Sequence, residues 1–338
     1  MDKCPPEVHG RIFYFACLDD GTTGRSLSLV SRYVREVVLP YQWQSLRLMG
    51  IDNLKGFKMN AMNFDVLRRP VYHLFIGGHS IECYGSSDLA IIQHREFCDS
   101  LCWVLDYVSP TLETLTFHSS AFCDASAESI ARIFQCHYPN LSELTVRSQC
   151  IPSRIVHMIE TLRITPNSPP NLRRLHFALP CHGFSHDNSD SLRYLINSFS
   201  PDITHLRITM LDRWGSKRVA EVVHAELNEL GMVDRVIDLS PITQDIPPTV
   251  TAPVVSWDPL IPESLESFVL QPSPTLDFYC SCCMELRSDL NVMRLFERLS
   301  ETAKGQLFHV YSPGEAIESV FVPDPRAGYC VWNRGSDG

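Results

Sequence analysis

The chain has 338 residues, of which 44% are apolar and 20% charged, so it can bury a substantial core. Its formal net charge is −10, and Lys and Arg form no cluster longer than a pair such as Arg68 and Arg69. Because binding to a phosphate backbone requires a basic surface, we expect no nucleic-acid partner.

The cysteines and the first residues predict the cellular compartment. Thirteen Cys are scattered along the chain, and their odd number argues against a disulfide framework. The first residues, MDKCPPE, have no apolar signal core, and no stretch of about 18 apolar residues exists. We expect an intracellular protein, in the cytoplasm or nucleus, with reduced thiols and no association with a membrane.

Two helices are predicted at the N-terminus. Pro5 and Pro6 open the first, and its apolar residues recur at the three-to-four spacing of one helix face. These residues are Val8, Ile12, Phe13 and Ala16. Residues 19–24, DDGTTG, break this helix, and a second one follows from about residue 27 to Pro40. The first 43 residues therefore predict a helical hairpin.

After residue 43 one pattern recurs, an apolar residue followed three and five positions later by two more. The clear copies are Trp43-Leu46-Leu48, Val71-Leu74-Ile76, Leu112-Leu115-Phe117, Leu141-Leu144-Val146, Leu172-Leu175-Phe177, Ile203-Leu206-Ile208 and Leu265-Phe268-Leu270, with weaker copies at 233–239 and 307–311. From Leu112 to Leu265 the copies begin 29 to 32 residues apart. Such regularity indicates internal repeats.

Helix-period segments alternate with these short strands. They are predicted at residues 97–107, 127–134, 154–163, 190–199, 217–230 and 291–302. Strand-helix units at this period are typical of a doubly wound α/β domain or of leucine-rich repeats. Alternate strand residues are polar, as at Thr114 and Thr116, which favours the repeats, because a doubly wound sheet is covered on both faces.

The predicted fold class is therefore α/β, with three parts. A short all-helical head spans residues 1–43. An irregular leucine-rich-repeat-type solenoid spans 44–322, with parallel strands on its concave face and helices on its convex face. A flexible C-terminal tail spans 323–338.

The head resembles an F-box-like domain of fungal, basidiomycete-type proteins that carry irregular leucine-rich repeats. The resemblance rests on the opening Pro5-Pro6-Glu7-Val8, on Ile12-Phe13, on the run LSLVSRY at 27–33 and on the closing Trp43. It covers about 40 residues of the chain. Cys4 stands where family members usually have Leu, and Tyr33-Val34 occupies the usual basic or Trp position.

This resemblance implies a substrate-recognition adaptor of a Skp1-cullin-F-box E3 ubiquitin ligase, whose head binds a Skp1-like protein while the repeats bind a protein target. The residues that match the Skp1-contacting motif are Pro5, Pro6, Val8, Ile12, Phe13, Leu27, Leu29 and Val30. Two alternatives stay open. In the first, the protein is a non-ligase scaffold whose head serves only as a cap of the solenoid. In the second, the chain is an α/β hydrolase or a nucleotide-binding enzyme.

The candidate target-binding residues lie at the polar strand positions of the concave face. We call them the polar strip, and they are Thr114, Thr116, His118, Glu143, Thr145, Arg147, Arg174, His176, His205 and Arg207. Such a strip could bind a protein through ion pairs and hydrogen bonds, although a solvated sheet face has the same pattern. A register error of one residue would invert the assignment.

No metal, cofactor, small-molecule substrate or catalytic residue is predicted. Two regions hold metal-ligand residue types, namely Cys280, Cys282 and Cys283, and Cys181 and His182 with His186 and Asp187. Neither has the paired spacing of a zinc site. The phosphate-binding patterns GxxxxGK[ST] and GxGxxG and the hydrolase pattern GxSxG do not occur. We therefore expect an interaction protein and not an enzyme.

Overall fold

A computed structural model describes residues 4–19, 21–63, 70–77, 88–119, 124–148, 150–178, 186–200, 202–211, 264–272 and 308–310. The described helices are α1 Pro6–Ala16, α2 Thr22–Ser28, α3 Arg32–Val38, α4 Gly50–Asn63, α5 Asp88–Val108, α6 Asp124–Gln135, α7 Pro152–Thr161 and α8 His186–Phe199. The described strands are β1 Ser45–Met49, β2 His73–Gly77, β3 Thr114–Ser119, β4 Glu143–Ser148, β5 Arg174–Ala178, β6 His205–Leu211, β7 Ser267–Pro272 and β8 Phe308–Val310. The predicted tail lies outside these residues.

The strands form one parallel sheet in which the spatial order equals the chain order. Each strand pairs with the strand that follows it in sequence. The helices α4 to α8 alternate with the first six strands, and each packs against the next helix along the chain. Sheet and helices therefore run side by side as two layers, and the predicted α/β class with parallel strands is confirmed.

The apolar strand residues align in two ladders across the sheet. One ladder contains Leu46, Leu74, Leu115, Leu144, Leu175, Leu206, Phe268 and Phe308, and the other contains Leu48, Ile76, Phe117, Val146, Phe177, Ile208, Leu270 and Val310. The seven clear sequence motifs are thus in register, and the weaker copy near 307–311 supplies β8. The weak copy at 233–239 lies outside the described residues. Burying one such side chain contributes about 1.5–3 kcal/mol.

Successive units are also joined by a repeated backbone motif. The residue directly before each of the strands β1 to β6 accepts, at its carbonyl, hydrogen bonds from two consecutive backbone amides of the next unit. The Ser142 carbonyl, for example, accepts from the Arg173 and Arg174 amides at 2.9 and 3.0 Å. The other five carbonyls belong to Gln44, Tyr72, Glu113, Arg173 and Thr204. In addition, Asn171 Nδ2 donates to the Pro139 carbonyl at 2.7 Å, and Asn140 makes the equivalent bond to Pro110.

Four predicted helices correspond to α5, α6, α7 and α8, and each begins earlier than its apolar period indicated. Helix α4 was not predicted, although it buries Leu54, Phe57 and Ala61 in the main core. It starts at Gly50, whose φ of 72° lies in the left-handed region that favours glycine. The predicted helices at 217–230 and 291–302 lie outside the described residues.

The predicted hairpin at the N-terminus is wrong, because the head contains three helices. The second predicted helix is divided at Ser31, whose side chain caps α3 by accepting a hydrogen bond from the Val34 amide at 3.1 Å. Helix α2 begins earlier than predicted, since the Asp19 carboxylate accepts the amides of Gly21 and Thr23 at 3.0 and 2.8 Å. Local capping thus outweighs the apolar pattern.

The head has a small core of its own, separate from the main core of sheet and helices. Its buried members are Phe13, Cys17, Val34 and Val38, with Leu27, Val37 and Tyr41 packed against them. Two polar side chains attach the head to β1. Gln44 Nε2 donates to the Tyr14 carbonyl, and Ser45 Oγ donates to the Leu18 carbonyl at 3.3 Å.

Candidate functional site

Helix α1 carries one buried row and one exposed row of side chains. One row, His9, Phe13 and Cys17, is buried in the head, and Phe13 stacks on the His9 ring with centroids 6.1 Å apart. The other row follows the same helical spacing, but its side chains are exposed: Val8 by 46%, Ile12 by 53% and Phe15 by 60%. One face therefore closes the head, and the other is open to solvent.

The turn between α2 and α3 adds two more exposed apolar side chains. Leu29 is 79% and Val30 64% exposed. With the outer row of α1 they are the five most exposed large apolar side chains of the described head, and we call them the exposed apolar residues of the head: Val8, Ile12, Phe15, Leu29 and Val30. Large apolar side chains in such number on a small helical unit are typical of a docking surface.

The predicted Skp1-contacting residues fall into two groups. Pro5, Pro6, Val8, Ile12, Leu29 and Val30 are exposed. Phe13 is only 8% exposed, and Leu27 is half-buried against the head core. Phe13 is aligned with His9 and Cys17 and so offers little surface to a partner, and its contact with one stays a prediction. Phe15 was missed, although its spacing from Ile12 and Val8 would have identified it.

All ten residues of the polar strip lie on the sheet face opposite the apolar ladders. One row across the strands contains Thr114, Glu143, Arg174 and His205, the next contains Thr116, Thr145, His176 and Arg207, and a third contains His118 and Arg147. The structure also places Arg47, His73 and Phe75 on this face, with the Arg47 guanidinium 5.6 Å from the Phe75 ring centroid. These three were missed because their strands are less regularly spaced in sequence.

Side chains of the polar strip contact one another across neighbouring strands. Arg174 Nη1 lies 2.8 Å from Glu143 Oε1, and His176 Nε2 lies 2.9 Å from the hydroxyl of Thr209 on β6. His73 Nδ1 similarly lies 2.9 Å from the Thr114 hydroxyl. The strip is therefore an interconnected polar surface built by several units together.

Burial determines which groups of the strip carry charge. It lowers the pKa of His176 to about 3 and that of His118 to about 4, and nearby arginines add to both shifts. It also raises the pKa of Glu143, although the Arg174 guanidinium opposes that change. At neutral pH the imidazoles of His118 and His176 are therefore uncharged and add no positive charge to that of the arginines.

A second cluster lies in the helix layer, between α5 and α6. His94 and Cys98 are one turn apart on α5, and Glu128 faces them from α6. His94 Nε2 is 3.1 Å from Glu128 Oε2 and 3.4 Å from Cys98 Sγ. Burial, followed by the Glu128 charge, raises the pKa of the Cys98 thiol to about 12. We call these three side chains the His-Cys-Glu cluster.

The His-Cys-Glu cluster was not predicted from the sequence. Its signal was the four-residue interval between His94 and Cys98, which places both on one helix face, but nothing in the sequence aligned Glu128 with them. The structure does not describe the side chains of the two groups of metal-ligand residue types that were noted in the sequence. Cys181, His182, Cys280, Cys282 and Cys283 lie outside the described residues, as do the side chains of His186 and Asp187.

Comparison with models of known protein families finds no match to this chain, and comparison with curated proteins finds none either. Among the described residues, no helix is both long and apolar enough to span a bilayer. We therefore infer function from the surfaces of the molecule itself.

Proposed function

We propose that the protein is the substrate-recognition adaptor of a Skp1-cullin-F-box E3 ubiquitin ligase. In this proposal the F-box-like head, residues 1–43, binds a Skp1-like adaptor. The following units, 44–322, form an irregular leucine-rich-type solenoid that binds a protein target. The observation that carries the proposal is the set of exposed apolar residues on a head whose core is already closed by Phe13, Cys17, Val34 and Val38.

The exposed apolar residues support docking of a protein partner for an energetic reason. Each side chain that a partner covers contributes roughly 25 cal/mol for every Å² of apolar surface removed from water. The three helices of the head also carry exposed charged side chains, among them Glu7, Arg11, Arg25 and Arg32. An apolar centre with a polar rim is the usual composition of a protein interface.

The sheet supports the second half of the proposal. Its strands follow chain order, its connecting helices pack in sequence, and the face opposite the apolar ladders is polar. Stacked units of this kind present a broad surface to which many side chains contribute. Within the described strands this face carries four Arg and one Glu, namely Arg47, Arg147, Arg174 and Arg207 with Glu143, although the whole chain has a net charge of −10. It thus favours a target segment with acidic groups.

One observation favours a second candidate, a non-ligase scaffold in which the head only caps the first repeat. The side chains of Gln44 and Ser45 bond to backbone carbonyls of the head and so attach it to β1. Such a cap would shield the end of the stack. It would not require Val8, Ile12 or Phe15 to face solvent, and we therefore prefer the adaptor. The hydrolase or nucleotide-binding alternative has no comparable support.

Co-purification of the full-length protein with the Skp1-like protein of the same organism tests the proposal. We expect a stable complex, and we expect Ile12→Asp to weaken it roughly 100-fold or more, as for a central interface residue. Because Ile12 is exposed, circular dichroism of the variant should match the wild type. The matched control is Asn53→Asp, which places the same charge at an exposed position on α4.

Two results would refute the adaptor function, namely no complex with the wild type or an unweakened complex with Ile12→Asp. Deletion of residues 1–43 separates the adaptor from the scaffold. If the repeats lose their circular dichroism signal on deletion, and no complex forms with the intact chain, the head is a structural cap. If the repeats stay folded and only the complex is lost, the head is a docking module.

A further inference from the structure

The His-Cys-Glu cluster combines three kinds of ligand atom at one point between two helices. It contains an imidazole nitrogen, a thiol sulfur and a carboxylate oxygen, all within 4.8 Å of one another. Cys98 is buried, whereas His94 and Glu128 keep 17% and 25% of their side-chain surface exposed. The cluster therefore has one buried ligand and two ligands that are partly exposed to solvent.

We propose that His94, Cys98 and Glu128 bind a zinc ion that clamps α5 to α6. Zinc is borderline-soft and accepts nitrogen, sulfur and oxygen ligands together, whereas magnesium and calcium prefer oxygen alone. Three protein ligands leave a fourth tetrahedral position for water at the exposed side. Binding releases the thiol proton to solvent, because the ligand is the thiolate.

Two of the three distances within the cluster are close to those of a tetrahedral site. Zinc bonds of about 2.0–2.3 Å place neighbouring tetrahedral ligands roughly 3.3–3.7 Å apart. His94 Nε2 lies 3.1 Å from Glu128 Oε2 and 3.4 Å from Cys98 Sγ. The third pair, Cys98 Sγ and a Glu128 oxygen, lies within 4.8 Å, so an adjustment of these side chains by up to about an ångström brings all three ligands to the ion.

The surroundings of the cluster resemble the outer shell of a metal site, in which neighbours orient the ligands. Arg132 Nη2 lies 3.3 Å from Glu128 Oε1, which holds the carboxylate and leaves Oε2 directed at His94. Ser129 Oγ lies 3.7 Å from Cys98 Sγ. Arg132 and Ser129 both belong to α6. This helix therefore supplies one ligand, Glu128, and the neighbours that contact Glu128 and Cys98.

Calorimetric titration of the full-length, chelator-treated protein with zinc chloride tests the proposal. We expect one ion per chain and an increase in the melting temperature when zinc is bound. Cys98→Ser and Glu128→Gln should each weaken binding roughly 100-fold and abolish the increase. With cobalt as the probe, the thiolate-to-cobalt absorption band should appear in the wild type and be absent from Cys98→Ser.

Cys136→Ser is the matched control, because Cys136 is another buried thiol at the end of α6 outside the cluster. It should bind zinc as the wild type does. The proposal is overturned if the wild type takes up no stoichiometric zinc, if Cys98→Ser or Glu128→Gln retains full affinity, or if Cys136→Ser loses it equally. Should Cys98→Ser fail to fold, Glu128→Gln, whose side chain is partly exposed, decides the question alone.

Discussion

Arg174 and Glu143 are direct neighbours across β4 and β5, and their side chains form an ion pair of 2.8 Å between Nη1 and Oε1. The pair joins two successive units on the polar face of the sheet. Arg174 keeps 47% and Glu143 22% of its side-chain surface exposed, so solvent screens their attraction. The pair therefore orients the two side chains more than it stabilises the fold.

The ion pair predicts a small coupling energy. In a double-mutant cycle with Arg174→Gln and Glu143→Gln, we expect the coupling to be about 1 kcal/mol or less, because partly exposed pairs seldom contribute more. Urea denaturation of the two single variants and the double variant measures it. A coupling above about 2 kcal/mol would show that the pair is held in a drier environment than its exposure indicates.

Phe13 and Ile12 are adjacent in sequence but should differ in their effect on stability. Phe13→Ala removes a large side chain from a core with few members, so we expect a loss of about 3 kcal/mol and local unfolding of the head. Ile12→Ala alters an exposed position and should cost less than about 1 kcal/mol. Hydrogen exchange over residues 4–43 measures both, with the amides of β3 and β4 as the internal reference.

The Asn171 side chain should stabilise the junction between two units. Asn171→Ala removes the bond from Nδ2 to the Pro139 carbonyl, and we expect the free energy of unfolding to fall by about 0.5–1.5 kcal/mol. Ser168→Ala, at an exposed position three residues earlier, is the control and should change it little. Equal urea midpoints for the two variants would contradict a structural role for this amide.

The two buried imidazoles of the polar strip predict loss of stability in acid. The ordinary pKa of 6.5 is lowered to about 4 for His118 and about 3 for His176 in the folded protein. As the pH falls below about 6.5, the unfolded chain binds protons at these positions before the folded chain does. The stabilisation is therefore complete above that pH and is lost progressively towards pH 4, by about 1–2 kcal/mol per histidine at pH 5.

Urea denaturation at pH 7.5 and pH 5 checks this dependence. The double variant His118→Gln, His176→Gln has no imidazole at either position, so the difference in its unfolding free energy between the two pH values should shrink. His137→Gln, at an exposed position, should keep the wild-type difference. If the double variant also keeps it, other groups cause the acid sensitivity.

The sequence was sufficient to predict the strands because each one repeats the same buried positions. Leu144 and Val146 recur as Leu175 and Phe177 one unit later, and the structure places each pair in register. Alternation of polar residues also placed the polar strip on one face. These features are local and periodic, so one chain contains enough copies to reveal them.

The features that the sequence did not predict depend on contacts between distant or competing groups. The division of the second helix depends on the Ser31 cap, which a count of apolar residues does not register. The orientation of Phe13 depends on which of two apolar faces of α1 meets α3. The His-Cys-Glu cluster depends on the lateral alignment of α5 and α6, which brings Glu128 to a residue 34 positions earlier.

The strands lie in the sheet in the same order as in the chain, and this order has a consequence for biosynthesis. Each strand finds its partner in the segment that is translated next, so β1 and β2 can pair once residue 77 has left the ribosome. Every later described strand then adds to an edge that already exists, so each of the described strands β1 to β7 finds its partner in the next one. The protein can therefore assemble vectorially, with the growing edge as the template for each new unit.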